Sequence, residues 1–155
     1  MALLQTGETI SDFTLLDQDG TGHSLAELSQ KLILLYFYPK AMTPGCTTQA
    51  CLIRDAETEI SKRGLTVIGI SCDAPARLKK FQEKEHLNFM LLSDPDHSVC
   101  SYFGVWGKKK MAGREYEGIH RSSFLIRDGR ILASFPKISP KTHLTEIFTW
   151  MDSNL

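Results

Sequence analysis

Two cysteines, Cys46 and Cys51, stand five residues apart directly after a run of turn-forming residues that includes Pro44 and Gly45. The apolar spacing that follows is helical and begins near Cys46. N–H groups in the first turn of a helix lack intrahelical partners and carry the positive end of its dipole, so a cysteine there is stabilised as its thiolate. Cys46 is therefore a candidate nucleophile, and Thr43 can present a hydroxyl in the same turn.

Cys51 is a candidate partner for Cys46, although not a static one. In one regular helix, five positions separate the Cα atoms by about 8–9 Å, whereas a disulfide needs them closer than about 7 Å. The pair can bridge only if the first turn unwinds, and that turn is held by few hydrogen bonds. Packing of Cys51 as a small apolar side chain beside Ala50 and Leu52 is the open alternative.

The other two cysteines favour a packing role. Cys72 ends a second apolar strand, and Cys100 lies in a short apolar segment. A structural zinc site typically uses paired C-x2-C spacings, which the C-x4-C pair does not match. The C-x-x-C motif of thioredoxin-type redox centres is absent from the sequence. The spacing therefore argues against a zinc site on this pair and against a thioredoxin-type redox centre.

The elements that position Cys46 follow from apolar patterning. Residues 32–38 and 65–71 are continuous apolar runs, typical of strands buried on both faces. The segment between them predicts one helix that runs from about Cys46 to Arg63 and ends at Gly64. Strand, helix and strand form a βαβ unit, which implies a right-handed crossover and a parallel pair.

The remaining elements complete an α/β fold with a mixed central sheet and helices on both faces. The predicted elements are a helix over 75–85, a short apolar strand at 89–92, a helix over 98–103, a hairpin over 122–135 that turns at Asp128-Gly129, and a final helix over 142–151. No repeat or low-complexity linker divides the chain, so a single domain over residues 1–155 is expected.

Composition excludes several functional classes. The 18 basic and 18 acidic residues give a formal net charge of zero, which indicates no general attraction to nucleic acid or anionic membranes. Lys108-Lys109-Lys110 is the one concentrated charge run, and we expect it in a solvated loop. No signal peptide and no apolar run of ~20 residues is found. With four cysteines, this favours a reducing compartment, the cytoplasm.

The sequence resembles a known family most clearly around Cys46. Residues 39–46, P-K-A-M-T-P-G-C, fit the P-x-x-x-T-x-x-C pattern of the peroxiredoxins, and the wider stretch down to L-I-R-D resembles the bacterioferritin comigratory protein, or Q-type, branch. The stretches L-L-D-Q-D-G, L-L-S-D-P-D-H, F-G-V-W-G and G-I-H-R-S-S-F-L-I are similar as well. The resemblance therefore covers essentially the whole chain.

This resemblance implies a thioredoxin-like fold and a thiol peroxidase that reduces hydrogen peroxide and organic hydroperoxides without metal or cofactor. Cys46 would be the peroxidatic cysteine and Cys51 the resolving cysteine, joined in an intramolecular disulfide that thioredoxin reduces. Thr43 would hold thiolate and peroxide in line, Arg121 would support both, and Pro39 would shield the pocket. The subfamily is often monomeric, which sets the expectation for this chain.

Some positions depart from the family pattern. Gln49 stands where many relatives carry glutamate, and Ala41-Met42 replaces a polar pair; both are expected to affect peroxide preference. Cys72 is the rival to Cys51 as resolving thiol. The chain ends W-M-D-S-N-L, without the Tyr-Phe ending of sulfinylation-sensitive relatives, so relative resistance to overoxidation is expected. A redox sensor or chaperone using the same pair, and a metal-binding module, are the alternatives from other functional classes.

Overall fold

The computed structural model describes residues 3–28 and 31–155, which form a seven-stranded mixed sheet, a separate two-stranded sheet and five α-helices. In chain order the elements are β1 (Thr14–Asp17), β2 (Gly22–Ser24), a 3-10 helix (Ala26–Leu28), β3 (Leu32–Phe37), α1 (Pro44–Asp55), α2 (Glu57–Lys62), β4 (Leu65–Ser71), α3 (Pro75–Glu85), β5 (Met90–Ser93), α4 (Ser98–Phe103), β6 (Trp106–Met111), β7 (Arg114–Ile119), β8 (Ser122–Arg127), β9 (Arg130–Phe135) and α5 (His143–Asn154).

The large sheet has the strand order β2-β1-β5-β4-β3-β8-β9. Strands β3 and β4 pair in parallel, starting with Leu32 opposite Leu65, and β5 continues the parallel set. On the other side of β3, β8 runs antiparallel and forms a hairpin with β9. The predicted parallel βαβ core with an antiparallel hairpin beside it is confirmed.

Two apolar cores flank β3, and all six residues of that strand are buried. Leu34 and Tyr36 point into the core that α1, α3 and α5 cover, whereas Ile33, Leu35 and Phe37 point into the core that α4 covers. Alternation of side chains across the sheet produces this division. Helices therefore lie on both faces, as predicted. Because both faces of β3 are covered, every residue of this strand is apolar.

The predicted single helix between β3 and β4 is wrong in two respects. It begins at Pro44, two residues before Cys46, because proline's fixed φ suits the first helical position. It is also interrupted at Ala56, whose backbone has φ −94° and ψ 17° and whose N–H donates to the carbonyl of Ile53 at 3.1 Å. Alanine is a strong helix former, so the local sequence does not signal this interruption.

The lysine run lies in β6 rather than in the predicted loop. Strand β6 pairs with β7, and the turn between them uses left-handed backbone at Ala112 and Gly113. Lys108 and Lys110 are exposed, whereas Lys109 is half-buried and donates a 2.8 Å hydrogen bond to the carbonyl of Ile119. A strand whose inward residue is a lysine lacks the apolar alternation that sequence reading relies on.

Other predicted elements match closely. The helices over 75–85 and 98–103 coincide with α3 and α4, and the hairpin turns at Asp128-Gly129, both with left-handed φ as a type I′ turn requires. The final helix spans His143–Asn154 instead of 142–151. Across residues 3–28 and 31–155, no helix combines the length and apolarity needed to cross a bilayer.

Candidate active site

Cys46 is the third residue of α1, which begins at the C-terminal edge of β3. Thr43 is the residue before the helix, with extended backbone, and its carbonyl accepts a 2.9 Å bond from the N–H of Thr47. Pro44 has no N–H, so the free donors of this first turn are those of Gly45 and Cys46. Both converge on the end of the helix where an anion is stabilised.

Arg121 supplies a full positive charge at the same place. It directly precedes β8, the antiparallel neighbour of β3, which brings it to the edge of the sheet from which α1 starts. Its Nη2 donates a hydrogen bond to Cys46 Sγ at 3.5 Å, and Cys46 is only 2% exposed. A Cβ at Gly45 would lie 3.4 Å from that Nη2, so glycine leaves room for the arginine. The guanidinium thus donates directly to a sulfur that is shielded from water.

Thr43 and Pro39 lie in the loop that joins β3 to α1. The Thr43 hydroxyl donates a 2.7 Å hydrogen bond to the carbonyl of Lys40, which leaves the lone pairs of Oγ1 available to accept a hydrogen bond from a ligand. Pro39 is half-buried immediately after the strand. The backbone of this loop is held by side chains that follow β4, the neighbouring strand.

That anchor consists of an ion pair around Ala41. The N–H of Ala41 donates to Asp73 Oδ2 at 2.8 Å, and its carbonyl accepts from Arg77 Nη2 at 2.9 Å. Asp73 and Arg77 form an ion pair with each other, with 3.1 Å between Arg77 Nε and Asp73 Oδ1. Both backbone groups of the loop's middle residue are thereby fixed to the β4–α3 connection. Ala41 is fully buried, so a small side chain fits at this position, where many members of the family have a polar residue.

Cys51 lies five residues, a little over one turn, further along α1 and is half-buried. Its Sγ donates to Glu85 Oε1 at 3.6 Å. Burial raises the pKa of Cys51 and the Glu85 carboxylate adds to the increase, while Arg54 opposes it. All four cysteines are free thiols and α1 is unbroken between Cys46 and Cys51. The helix therefore keeps the two sulfurs apart in this reduced form.

A buried polar chain behind Arg121 was not anticipated from the sequence. Arg121 Nη1 donates to Gln49 Oε1 at 2.6 Å, and Gln49 Nε2 lies 3.1 Å from His143 Nδ1. His143 Nε2 in turn lies 2.6 Å from Ser123 Oγ. The chain links α1, α5 and β8 and holds the guanidinium through Nη1, while Nη2 donates to the sulfur.

The protonation of His143 determines the direction of this chain. His143 is 1% exposed, and burial, followed by the charge of Arg121, lowers the pKa of His143 to about 3. The ring is therefore neutral near pH 7. Since Gln49 must present its carbonyl to the arginine, its amide N–H donates to Nδ1, and Nε2–H donates to Ser123. A glutamine at position 49 fits this arrangement, because a glutamate would have no N–H to donate to that nitrogen.

Lys109 is a second cation that sequence reasoning missed. Burial, followed by the charge of Arg121, lowers the pKa of Lys109, and interaction with Cys46 acts in the opposite direction. The sequence predicts a solvated loop for residues 108–110, and only the strand geometry of β6 turns the middle residue, Lys109, inward. The site thus experiences the charge of two cations.

Cys72, the rival to Cys51, lies on the other side of the sheet from Cys46. It packs against the core on the α4 side of the sheet, whereas Cys46 belongs to the core on the α1 side. Within the described residues, the one cluster with metal-ligating geometry is Cys72, Asp94 and Cys100. Neither Cys46 nor Cys51 belongs to it, so the geometry offers no support for a metal site built on that pair.

Comparison with known proteins places this geometry in a recognised setting. A model of the AhpC/TSA family matches residues 6–134. A putative peroxiredoxin Bcp from Haemophilus influenzae is 52% identical over 151 residues, which covers 97% of both chains. Peroxiredoxin Bcp from Escherichia coli is 50% identical over 149 residues, which covers 96% of both chains.

Solved structures of peroxiredoxins have the same fold as this chain. Peroxidoxin BcpB from Mycobacterium tuberculosis has a TM-score of 0.86 at 34% identity, over 98% of this chain and 99% of that one. A PrxQ variant from Xylella fastidiosa has a TM-score of 0.91 at 27% identity, over 99% and 98%. A bacterioferritin comigratory protein from Xanthomonas campestris, described for its alkyl peroxide reduction activity, has a TM-score of 0.86 at 29% identity, over 98% and 97%. The predicted thioredoxin-like fold is confirmed.

Proposed function

Because this chain belongs to the AhpC/TSA family and is a peroxiredoxin of the Bcp type, a thiol-dependent peroxidase, we propose that Cys46 is the thiol that attacks the hydroperoxide. The activity requires a hydroperoxide as oxidant and a reductant that restores the thiol. The observation that carries the assignment is the Arg121 guanidinium 3.5 Å from a sulfur in the first turn of a helix.

In the first step, the Cys46 thiolate attacks the terminal oxygen of the hydroperoxide and the O–O bond breaks. Sulfur keeps that oxygen as sulfenic acid, and the other oxygen leaves as alkoxide or hydroxide and takes up a proton. Arg121 and the N–H groups of Gly45 and Cys46 stabilise the negative charge on the leaving oxygen. Thr43 Oγ1, whose own proton is committed to Lys40, accepts a hydrogen bond from the peroxide O–H and fixes its approach. Pro39 shields the site from water.

In the second step, Cys51 resolves the sulfenic acid. With 2% of Cys46 exposed, another sulfur reaches it only after the first turn of α1 opens. The Cys51 sulfur then attacks Cys46, the S–O bond breaks, and water leaves as the intramolecular disulfide forms. The elevated pKa of Cys51 limits its reaction while the helix is closed, since burial and Glu85 disfavour the thiolate there.

The finer biological setting is part of the same proposal. Thioredoxin is the proposed reductant, because thiol–disulfide exchange with a dithiol partner restores both cysteines in one cycle. We assign the enzyme to the cytoplasm, where four free thiols are kept reduced, and treat it as a single-domain monomer. Hydrogen peroxide and organic hydroperoxides are both proposed substrates; the alkyl peroxide reduction described for the Xanthomonas campestris relative supports the second class.

A thioredoxin-coupled peroxidase assay tests these roles with both peroxide classes. Cys46→Ser should abolish turnover at this site, whereas Cys51→Ser should consume one equivalent of peroxide at Cys46 and then cycle slowly. Cys72→Ser, which also removes one thiol, is the matched control and should form the Cys46–Cys51 disulfide as readily as the wild type. Normal cycling by Cys51→Ser would refute the resolving role. Slow wild-type turnover with stable mixed disulfides would instead indicate a redox sensor.

The same samples test resistance to overoxidation. Cys51 lies only five residues from Cys46 on the same helix, so its attack on the sulfenic acid competes with further oxidation. Intact mass measured across a peroxide titration should show disulfide as the main product. Ready accumulation of sulfinic acid at Cys46 would contradict the expectation.

A further inference from the structure

A second pair of thiols lies on the opposite side of the sheet from Cys46. Cys72 directly follows β4, and Cys100 lies in α4. Their sulfur atoms and a carboxylate oxygen of Asp94 all lie within 4.8 Å of one another. Cys100 is fully buried, whereas Cys72 is half-buried and in contact with solvent. No role in the peroxidase cycle uses this cluster.

Asp94 holds the α4 end of the cluster in place. Its Oδ1 accepts the N–H of Val99 at 3.3 Å, and its Oδ2 accepts the N–H of Cys100 at 2.8 Å. The carboxylate is thus engaged with the start of α4, and it fixes the backbone that carries Cys100. The position of the buried sulfur relative to β4 is therefore set by a hydrogen-bonded framework and not by loose packing.

The two thiols are chemically unequal. Interaction with the Cys100 thiol lowers the pKa of Cys72, even though burial opposes the change. Interaction with Cys72, followed by burial and the nearby Asp94, raises the pKa of Cys100. Of the two thiols, the more exposed Cys72 is therefore the easier to ionise. This arrangement pairs an accessible nucleophile with a buried neighbour able to resolve it.

We propose that Cys72 and Cys100 form a second redox centre, which hydroperoxide oxidises to an intramolecular disulfide. The Cys72 thiolate attacks the hydroperoxide, the O–O bond breaks, and the leaving alkoxide takes a proton, so that Cys72 becomes a sulfenic acid. Cys100 then attacks that sulfur, the S–O bond breaks, and water leaves with the Cys100 proton. Two thiols lose two electrons and one hydroperoxide gains them.

This centre differs from the Cys46–Cys51 pair in the structural change that disulfide formation requires. Cys46 and Cys51 are separated by an intact helix, whereas the sulfurs of Cys72 and Cys100 already neighbour each other on two different elements. Closure to an S–S bond of about 2 Å asks for side-chain rotation and a small shift of the six-residue α4. Disulfides in reducing compartments are typically of this reversible, redox-responsive kind.

A Cys46→Ser/Cys51→Ser double variant tests the proposal without the peroxidase site. It retains two thiols, and a titration with hydrogen peroxide should reduce the thiol count from two to zero at one equivalent per protein. Intact mass should fall by two hydrogen atoms, and peptide mapping should locate a Cys72–Cys100 bond. A triple variant with Cys72→Ser as well should keep its remaining thiol.

Three results would overturn it. Thiols that stay free through the titration would show that the pair is only packed, and dimers linked through Cys72 would show that Cys100 does not resolve it. Retention of one zinc ion by the reduced double variant after gel filtration, lost in the triple variant, would make the cluster a metal site instead. Because Cys46 and Cys51 are absent, none of these results depends on their assigned roles.

Discussion

Replacing His143 with glutamine is expected to make the free energy of unfolding less sensitive to acid. His143 is 1% exposed and accepts from Gln49 while donating to Ser123. Glutamine offers an acceptor and a donor in the same cavity but has no proton to gain. Burial and the charge of Arg121 lower the pKa of His143 to about 3 from its usual 6.5.

The sign and size of the effect follow from proton linkage. Between pH 6.5 and 3 the unfolded chain binds a proton at position 143 that the folded chain does not, so stability falls as pH falls through that window. With these two pKa values, the loss attributable to His143 is ~2 kcal/mol at about pH 5 and approaches ~5 kcal/mol near pH 3. Above pH 6.5 the contribution is fully present and flat.

Urea denaturation of the wild type and of His143→Gln, each at about pH 7.5 and about pH 5, measures the difference directly. Carboxylates elsewhere contribute equally to both proteins, so the comparison isolates position 143. The wild type should lose ~2 kcal/mol more than the variant on acidification. Equal losses would refute a neutral, buried histidine behind Arg121, whatever the absolute stability of the variant.

Three further outcomes are expected. Arg121→Met removes the cation beside Cys46 Sγ and should lower kcat/KM for hydroperoxide roughly 10–100-fold, the equivalent of one charged hydrogen bond; an unchanged value in stopped-flow assays would exclude its role. Glu85→Gln removes a carboxylate that raises the pKa of Cys51, so alkylation of Cys51 in a protein without the peroxidatic cysteine should begin at lower pH. Gly69→Ala should cost ~1–3 kcal/mol in thermal unfolding because its Cβ would lie 3.0 Å from the Tyr36 ring.

The parts of this molecule that could be predicted from sequence are those with local physical signatures. The apolar runs of β3 and β4 have no polar face because both sides are covered, and that pattern is visible in the chain itself. The turn residues Pro44 and Gly45 directly before Cys46 likewise predict a helix N-terminus nearby. The observed start at Pro44, two residues earlier than predicted, reflects the preference of proline for the first helical position.

The parts that could not be predicted depend on distant partners. Gln49 and His143 are 94 residues apart, and no pattern in either segment indicates that they meet. His143 begins a helix and would ordinarily be exposed, so its burial reflects how α5 docks on the sheet. Lys109 points inward only because β6 pairs with β7, which its own composition does not predict.

The interruption at Ala56 limits how much of the protein the proposed cycle disturbs. Cooperative melting of a helix stops where its hydrogen-bond ladder is broken, so opening that starts at Pro44 is expected to end at Ala56. The whole of α2, with its buried Ile60, is then expected to stay docked on the sheet. Local unfolding in the proposed cycle would therefore expose only the apolar surface beneath α1, which limits the surface open to aggregation.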